Sequence, residues 1–351
     1  MELKIAFIGF GNVARAFARI LRDRKSQLAR QYDLTYRATA IATGRHACAL
    51  SESTIDLEEA VAIVERGGNL KDLTGATIVG DSVQVIQGCD ADIVFETTPL
   101  NPANGEPAAT YIRHALGRRM SVVTANKGPI AFAHRELSRL AGERGVSFRF
   151  EGTVMDGAPI FNLAEYCLPV ARVLGFCGLL NSTTNVILAG MELGRSFDES
   201  LAEARRLGIA EANADYDIDG WDAAVKAVAL ANVLMSADAR PSDVERAGIR
   251  GVTSEDLRSA GRDGNRIRLV ARAEILGGKL RLDVGPKAVP LASPLGCASG
   301  ASNVLAISTD LMGELTIFEK DPGVEQTAYA LLSDMMRIHA DLIRQPRGAS
   351  S

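Results

Sequence analysis

The sequence predicts an α/β fold: a Rossmann-type, doubly wound parallel sheet followed by a second, α+β domain. Three observations predict it. An apolar, strand-like run opens the chain and ends in the turn Gly9-x-Gly11-x-x-Ala14, which leads straight into a helical pattern. Apolar runs and helical patterns then alternate to about residue 150, the signature of a parallel sheet with helices on both faces. Beyond residue 151 the loops lengthen, alanine-rich helical patterns appear and β-like runs close the series, so a different kind of domain begins there.

At 351 residues the chain is too long for one simple core and divides naturally into residues 1–150, completed by 325–351, and residues 151–324. A formal charge of −4 and the lack of a basic patch argue against a nucleic-acid partner, which leaves a small molecule as the expected one. Cys48, Cys89, Cys167, Cys177 and Cys297 are scattered without C-x-x-C pairs. Neither a disulfide framework nor a zinc site is expected, and reduced thiols suit the cytoplasm. No uncharged apolar stretch reaches the roughly 20 residues that a membrane crossing needs, and the immediate strand leaves no room for a secretory leader. Only the terminal RQPRGASS reads as an unstructured tail.

Residues 3–9, LKIAFIG, read as a buried strand, and NVARAFARILRDR follows with apolar Val13, Phe17, Ile20 and Leu21 at helical spacing. Further strands are expected at 36–43, 91–98 and 120–126, with helices at PAATYIRHALGRR and HRELSRLAGERG between and after them. In the second domain, helices are expected at 183–207 and 220–237, and β-structure at 278–291 and 303–320. The last helical pattern, 325–344, has no strand partner of its own and suits packing on the first domain.

The glycine turn carries chemistry as well as fold. Gly9 makes the tight turn, Gly11 lets the backbone approach a pyrophosphate, and Ala14 is small enough for close packing of helix on strand. The first turn, Asn12-Val13-Ala14, then offers free N–H groups to phosphate. A bare G-x-G-x-x-A is a weak signal, but between an opening strand and a helix it points to a dinucleotide. Where an NAD site usually places an acidic residue, after the second strand, this chain has ATGRHA. Arg45 and His46 there suit the 2′-phosphate of NADP, with NAD the alternative. Ligands of doubly wound sheets lie beyond the carboxyl ends of the strands, so the loops 96–107 (with Thr97), 124–131 (with Lys127) and 151–159 are candidate walls.

The stretch GIAEANADYDIDGWDAAVKAVALANVLM poses the sharpest question. On a helix from Trp221 its only charges are Asp222 and Lys226, one turn apart on a face that continues through Ala229, Leu230 and Val233. A buried charge must be paired. Burial lowers the pKa of a lysine and a neighbouring carboxylate raises it, so Lys226 could be poised for proton transfer. Glu211, Asp215, Asp217 and Asp219 precede it as candidates to bind an amino group or a second lysine. Spacing alone leaves a structural ion pair as open a reading as a catalytic one.

The segments GFGNVAR, TANKGPIA, EGTVMDGAPI, GLLNSTTNVIL and LGIAEANADYDIDGWDAAVKA, in that order, resemble the signature segments of the homoserine dehydrogenase family over about residues 1–330. The resemblance implies reduction of aspartate 4-semialdehyde to L-homoserine with NADPH or NADH. It implies a homodimer, each chain joining a Rossmann domain to a substrate-binding and dimerisation domain. Carried over by position, it implies Lys226 as proton donor and acceptor and Lys127 beside the nicotinamide and substrate. Glu211, Asp217 and Asp222 would surround the amino acid, with Glu211 and Asp222 on its ammonium group. Gly323 in DPGVEQTA resembles a glycine that touches the cofactor. Asn181, Thr183, Thr184 and Asn185 resemble the family's N-G-T-T-N, with Ser182 in place of glycine; from the residues alone they read as a helix N-cap. Some members hold sodium through a glutamate and backbone carbonyls, and the matching positions are Glu151, Val154, Asp156 and Ala158. VMDGAP departs from the family's V-G-G-G-I-P or V-G-A-G-L-P: Met155 and Asp156 replace small residues and are expected to reshape the pocket. Two other readings follow, a relative acting on a different small oxo or hydroxy acid and a dinucleotide-binding sensor without turnover.

Overall fold

The computed structural model describes residues 1–344; of the RQPRGASS tail only Arg344, which is helical, is among them, and the rest lies outside the described residues. The chain forms two compact units, Met1–Gly157 together with the chain from Gly323, and Ala158–Pro322. The change of pattern in the sequence puts these boundaries at 150/151 and 324/325.

The first unit runs β1 (Glu2–Ile8), α1 (Asn12–Tyr32), β2 (Thr35–Ala42), β3 (Cys48–Ile55), α2 (Leu57–Glu65), β4 (Thr77–Val79), α3 (Ser82–Gly88), β5 (Ile93–Glu96), α4 (Ala108–Gly117), β6 (Ser121–Thr124), α5 (Lys127–Arg144) and β7 (Phe148–Arg149). Its sheet has the order β4-β3-β2-β1-β5-β6-β7. β2, β1, β5, β6 and β7 are parallel. β3 pairs antiparallel with both β2 and β4, so the sheet is mixed where a wholly parallel one was expected. Only five residues, 43–47, separate β2 from β3, enough for a hairpin but far short of a parallel crossover.

The alternation along β1 explains the layers. Leu3, Ile5 and Phe7 enter one core with Phe17 and Leu21 of α1, while Ala6 and Ile8 enter the other with Ile112, Leu116 and Leu137. A strand apolar on both faces belongs in the middle of a sheet covered on both sides. The rings of Phe7, Phe17 and Phe95 meet at centroid distances of 4.6–6.1 Å and seal α1 onto the strands beneath it.

The second unit contains α6 (Ile160–Cys167), β8 (Val173–Leu179), α7 (Ser182–Glu192), α8 (Phe197–Arg206), α9 (Asp215–Ile218), α10 (Trp221–Leu234), β9 (Glu245–Arg246), α11 (Ser254–Arg262), β10 (Asn265–Leu276), β11 (Lys279–Pro290), α12 (Pro294–Cys297), β12 (Asn303–Thr309) and β13 (Gly313–Glu319). The sheet order is β13-β12-β8-β10-β11-β9. The single helix expected at 183–207 is two. Gly194 at φ +89° ends the first, and Ser196 with Glu199 forms a capping box that starts the second. The run 303–320 is likewise a hairpin, turning before Gly313 at φ +70°. β10, unread in the sequence, pairs along its whole length with β11 through the two-residue turn Gly277-Gly278.

The last helix, α13 (Val324–Arg344), belongs to the first unit and lies on α1. Ala328, Leu331, Leu332, Met335 and Ile338 recur on one face of it and enter the core that Phe7 and Phe17 share.

The turn from β1 to α1 has little freedom. Gly9 sits at φ +91°, and a Cβ there would lie 2.7 Å from the Thr97 carbonyl carbon. Gly9→Ala therefore combines backbone strain with a clash against backbone, and a stability loss of about 1–3 kcal/mol is expected in denaturant unfolding. An unchanged unfolding midpoint would show that the β1–α1 turn relaxes freely.

Candidate functional site

The carboxyl ends of β1, β5 and β6 gather most of the residues that the sequence marks for a dinucleotide. Thr97 donates its amide to the Ile8 carbonyl at 2.8 Å and its hydroxyl to the Gly9 carbonyl at 2.9 Å, which fixes the loop after β5 to the glycine turn. Glu96, fully buried, accepts from the Thr98 amide at 2.8 Å and from the Thr124 hydroxyl at 2.6 Å, tying the ends of β5 and β6 together. Burial pushes its carboxyl upward in pKa, against the pull of those donors.

Gly11 differs from Gly9. Its φ of −79° is open to any residue, and a Cβ there would meet no protein atom within 4 Å. Neither backbone nor packing requires glycine, so the missing side chain leaves space for something outside the protein. Gly11 is the N-cap of α1, makes no side-chain cap, and no acidic residue stands in the first turn. The helix start at Asn12, Val13 and Ala14 thus suits an anion, and this cradle fits a dinucleotide pyrophosphate. Arg15 braces it by donating to the Phe10 carbonyl at 3.0 Å and to Asn12 Oδ1 at 2.8 Å.

Lys127 is not in mid-loop as expected: it is the first residue of α5, whose N-cap Asn126 accepts from the Gly128 amide at 3.0 Å. Asn126 also donates to the Thr98 carbonyl at 3.0 Å, so the loops after β5 and β6 are braced to each other. A cation at the positive end of a helix is locally unfavourable. Such broken local rules collect at functional positions.

Arg45 is exposed in the turn after β2 and has no ion-pair partner among the described residues. His46 is committed: its amide donates to Thr43 Oγ1 at 2.7 Å, and its Nδ1 lies 2.6 Å from the Gly68 carbonyl oxygen. Gly323 opens the turn into α13, its amide donating to Gln326 Oε1 at 3.0 Å.

The sodium positions find no support. The Asp156 carboxylate accepts from the Thr327 hydroxyl at 2.9 Å, and the Glu151 amide donates to Asp334 at 2.9 Å. Val154 is buried, Ala158 opens the second unit, and no group of three or more His, Cys, Asp or Glu among the described residues is placed to hold a metal ion. Met155 is fully buried. Among the described residues no helix is long and apolar enough to cross a membrane.

In the second unit the opening question of α10 has an answer. Lys226 and Asp222 form an ion pair at 3.3 Å, with side chains only 13% and 8% exposed. The Lys226 ammonium also donates to the Leu180 carbonyl at 2.6 Å. Asn181 donates one amide hydrogen to Asp217 at 2.7 Å and the other to Asp222 at 2.9 Å. Burial pushes the Asp217 carboxyl upward and the charge of Asp222 adds to that, while donors from Asn181 and Thr183 oppose it. Tyr216 completes the group: its hydroxyl is buried without a hydrogen-bond partner among the described residues, and burial with the two nearby carboxylates raises its pKa.

The other acids of the stretch go elsewhere. Asp215 and Asp219 both pair with Arg250 on the exposed side, so they are not available to bind an amino group as expected. Glu211 is exposed, outside the Asn181–Asp217–Asp222–Lys226 network, and Arg205 donates to its backbone carbonyl at 3.4 Å. Thr183, Thr184 and Asn185 lie in the first turn of α7, where Asn181 is the N-cap. The double use of the Asn181 amide was not readable, since it depends on contacts across 36–41 residues of chain.

The family model described as "Homoserine dehydrogenase, NAD binding domain" matches residues 9–151, and "Homoserine dehydrogenase" matches residues 159–336. An "NAD(+)-dependent homoserine dehydrogenase" from Pseudomonas canavaninivorans is 35% identical, covering 98% of this chain and 98% of its own. A homoserine dehydrogenase from Methanocaldococcus jannaschii is 38% identical over 96% of this chain and 98% of its own. A crystal structure from Archaeoglobus fulgidus matches with a TM-score of 0.86 at 32% identity, covering 96% of this chain and 99% of that one.

The contrast between the two glycines is testable. Gly11→Ala is expected to leave the unfolding midpoint nearly unchanged while weakening dinucleotide binding by about tenfold or more. Unchanged binding in a titration of cofactor fluorescence would remove the cradle from the site.

Proposed function

The chain belongs to the homoserine dehydrogenase family of NAD(P)-dependent oxidoreductases, and we propose that Lys226 moves the proton as aspartate 4-semialdehyde and L-homoserine interconvert. The observation that carries this role is the burial of the Lys226 ammonium against Asp222 and the Leu180 carbonyl on a helix with no other charge.

When bound, the nicotinamide supplies the hydride to the aldehyde carbon or takes it from the alcohol. The chain's own residues have the remaining work. Lys226 gives a proton to the carbonyl oxygen in reduction and takes the hydroxyl proton in oxidation. Asp222 orients it and balances its charge whenever it holds the proton. Asp217 and Asp222 offer carboxylate oxygens to the amino acid's ammonium group; Glu211, exposed and outside their network, is given no part in it. In the first unit, Gly9, Gly11, Asn12, Val13, Ala14 and Thr97 form the pyrophosphate cradle. Lys127 is assigned to the nicotinamide end and Gly323 to a contact from the start of α13. No role is assigned to sodium. The exposed Leu174, Ile275, Leu276 and Phe318 of the second unit support assembly as a homodimer.

Arg45 supports a preference for NADP(H). It follows β2 with no acidic residue between Ala42 and His46, leaving no carboxylate to accept from a ribose 2′-hydroxyl and a cation to meet a 2′-phosphate. Arg45→Ala should weaken NADPH relative to NADH by about tenfold, the size of a charge-assisted hydrogen bond. An unchanged ratio of the two kcat/KM values would sink the assignment.

Lys226→Ala should lower turnover by about 100-fold or more with cofactor binding intact. Near-normal kcat in that folded variant would mean that the lysine is structural.

A further inference from the structure

The network around Lys226 has a member to which its chemistry assigns no part. Asn181 precedes α7, and its side chain is used completely: Oδ1 accepts from the Thr184 amide at 2.8 Å as the helix N-cap, and the two hydrogens of Nδ2 go to Asp217 and Asp222. An N-cap needs only an acceptor, and serine or aspartate would serve equally well. The amide nitrogen is therefore surplus to the cap. We infer that Asn181 is a positioning residue, whose amide clamps the carboxylates of Asp217 and Asp222 side by side and sets the charge and orientation that Lys226 meets.

Three features of the same region support this. Two carboxylates held close repel, and one of them would take up a proton unless neutral donors reach both. Asn181 is the donor common to the pair, it is only 5% exposed, and so water cannot readily replace it. The clamp is itself anchored: the Thr184 hydroxyl donates to the Asn181 carbonyl at 3.0 Å, and the neighbouring Ser182 hydroxyl donates to the Ala301 carbonyl at 2.7 Å. The ionisable groups around it are Tyr216 and Asp217 from α9 and Asp222 and Lys226 from α10, with the Thr183 hydroxyl adding a donor to Asp217. Arg250 holds Asp215 and Asp219 in separate ion pairs.

The inference rests on Lys226 as the proton-transfer group, and the test keeps the two apart. The pH profile of kcat would be measured for wild type, Asn181→Ser and Asn181→Asp, with Lys226→Ala as reference. Both Asn181 variants keep a capping oxygen and lose the amide donors. Without those donors the carboxylates protonate at higher pH, so the acidic limb should move up by about half a unit or more. It should move further in Asn181→Asp, where a third carboxyl joins the group. KM for the amino-acid substrate should rise in Asn181→Ser, because its ammonium meets a partly neutralised pair. Profiles that superimpose on wild type, with any loss uniform across pH, would reduce Asn181 to a helix cap and overturn the inference. Should Asn181→Ser fold poorly, Asn181→Thr, which also keeps a capping oxygen and adds no charge, takes its place. Retained turnover in Lys226→Ala would instead remove the lysine reading on which the clamp depends.

Discussion

An ammonium group can be buried only if its charge is met, and the head of α10 is organised around that constraint. Lys226 takes a carboxylate from its own helix, one turn back, and a carbonyl from Leu180 at the end of β8. Asp222 in turn needs the amide of Asn181, which also caps α7. Removing one partner from such a buried pair costs about 3–5 kcal/mol, so the same contacts serve fold and chemistry. The apolar length of α10 sets the position: with ten of its residues buried, the helix cannot rotate to bring the pair into water.

The first unit meets the opposite need, a place for negative charge. It provides uncapped N–H groups at α1 and a glycine at position 11 that the protein itself does not require. What holds this place still lies beneath it. Glu96 and Asn126 bridge the ends of β5 and β6, and Thr97 bridges the loop after β5 to the glycine turn. These bonds involve the last residue of each strand or the few that follow it, which is why the crevice beyond a doubly wound sheet can be rigid although loops build it.

Much of this was legible in the residues. The turn at Gly9, the core face of α1 and the Asp222–Lys226 spacing are local patterns, and local patterns survive folding. Other features were not legible because their causes are distant. Lys127 is the exception, a local signal passed over: Asn126, a favoured N-cap residue, stands directly before it and starts the helix there. Asp215, Asp217 and Asp219 look alike in sequence. Arg250, some thirty residues downstream, takes the first and last to the surface and leaves Asp217 inside. The antiparallel edge of the first sheet was missed because its strands, β3 and β4, were not read in the sequence at all.

The most direct measurement is the absorbance of NADPH as the purified protein meets aspartate 4-semialdehyde, with the product identified. Rapid loss of absorbance with one L-homoserine formed per NADPH consumed is the expected result. A folded protein that binds NADPH but leaves it unconsumed with this aldehyde would contradict the assignment of the buried lysine and its carboxylates to this reaction.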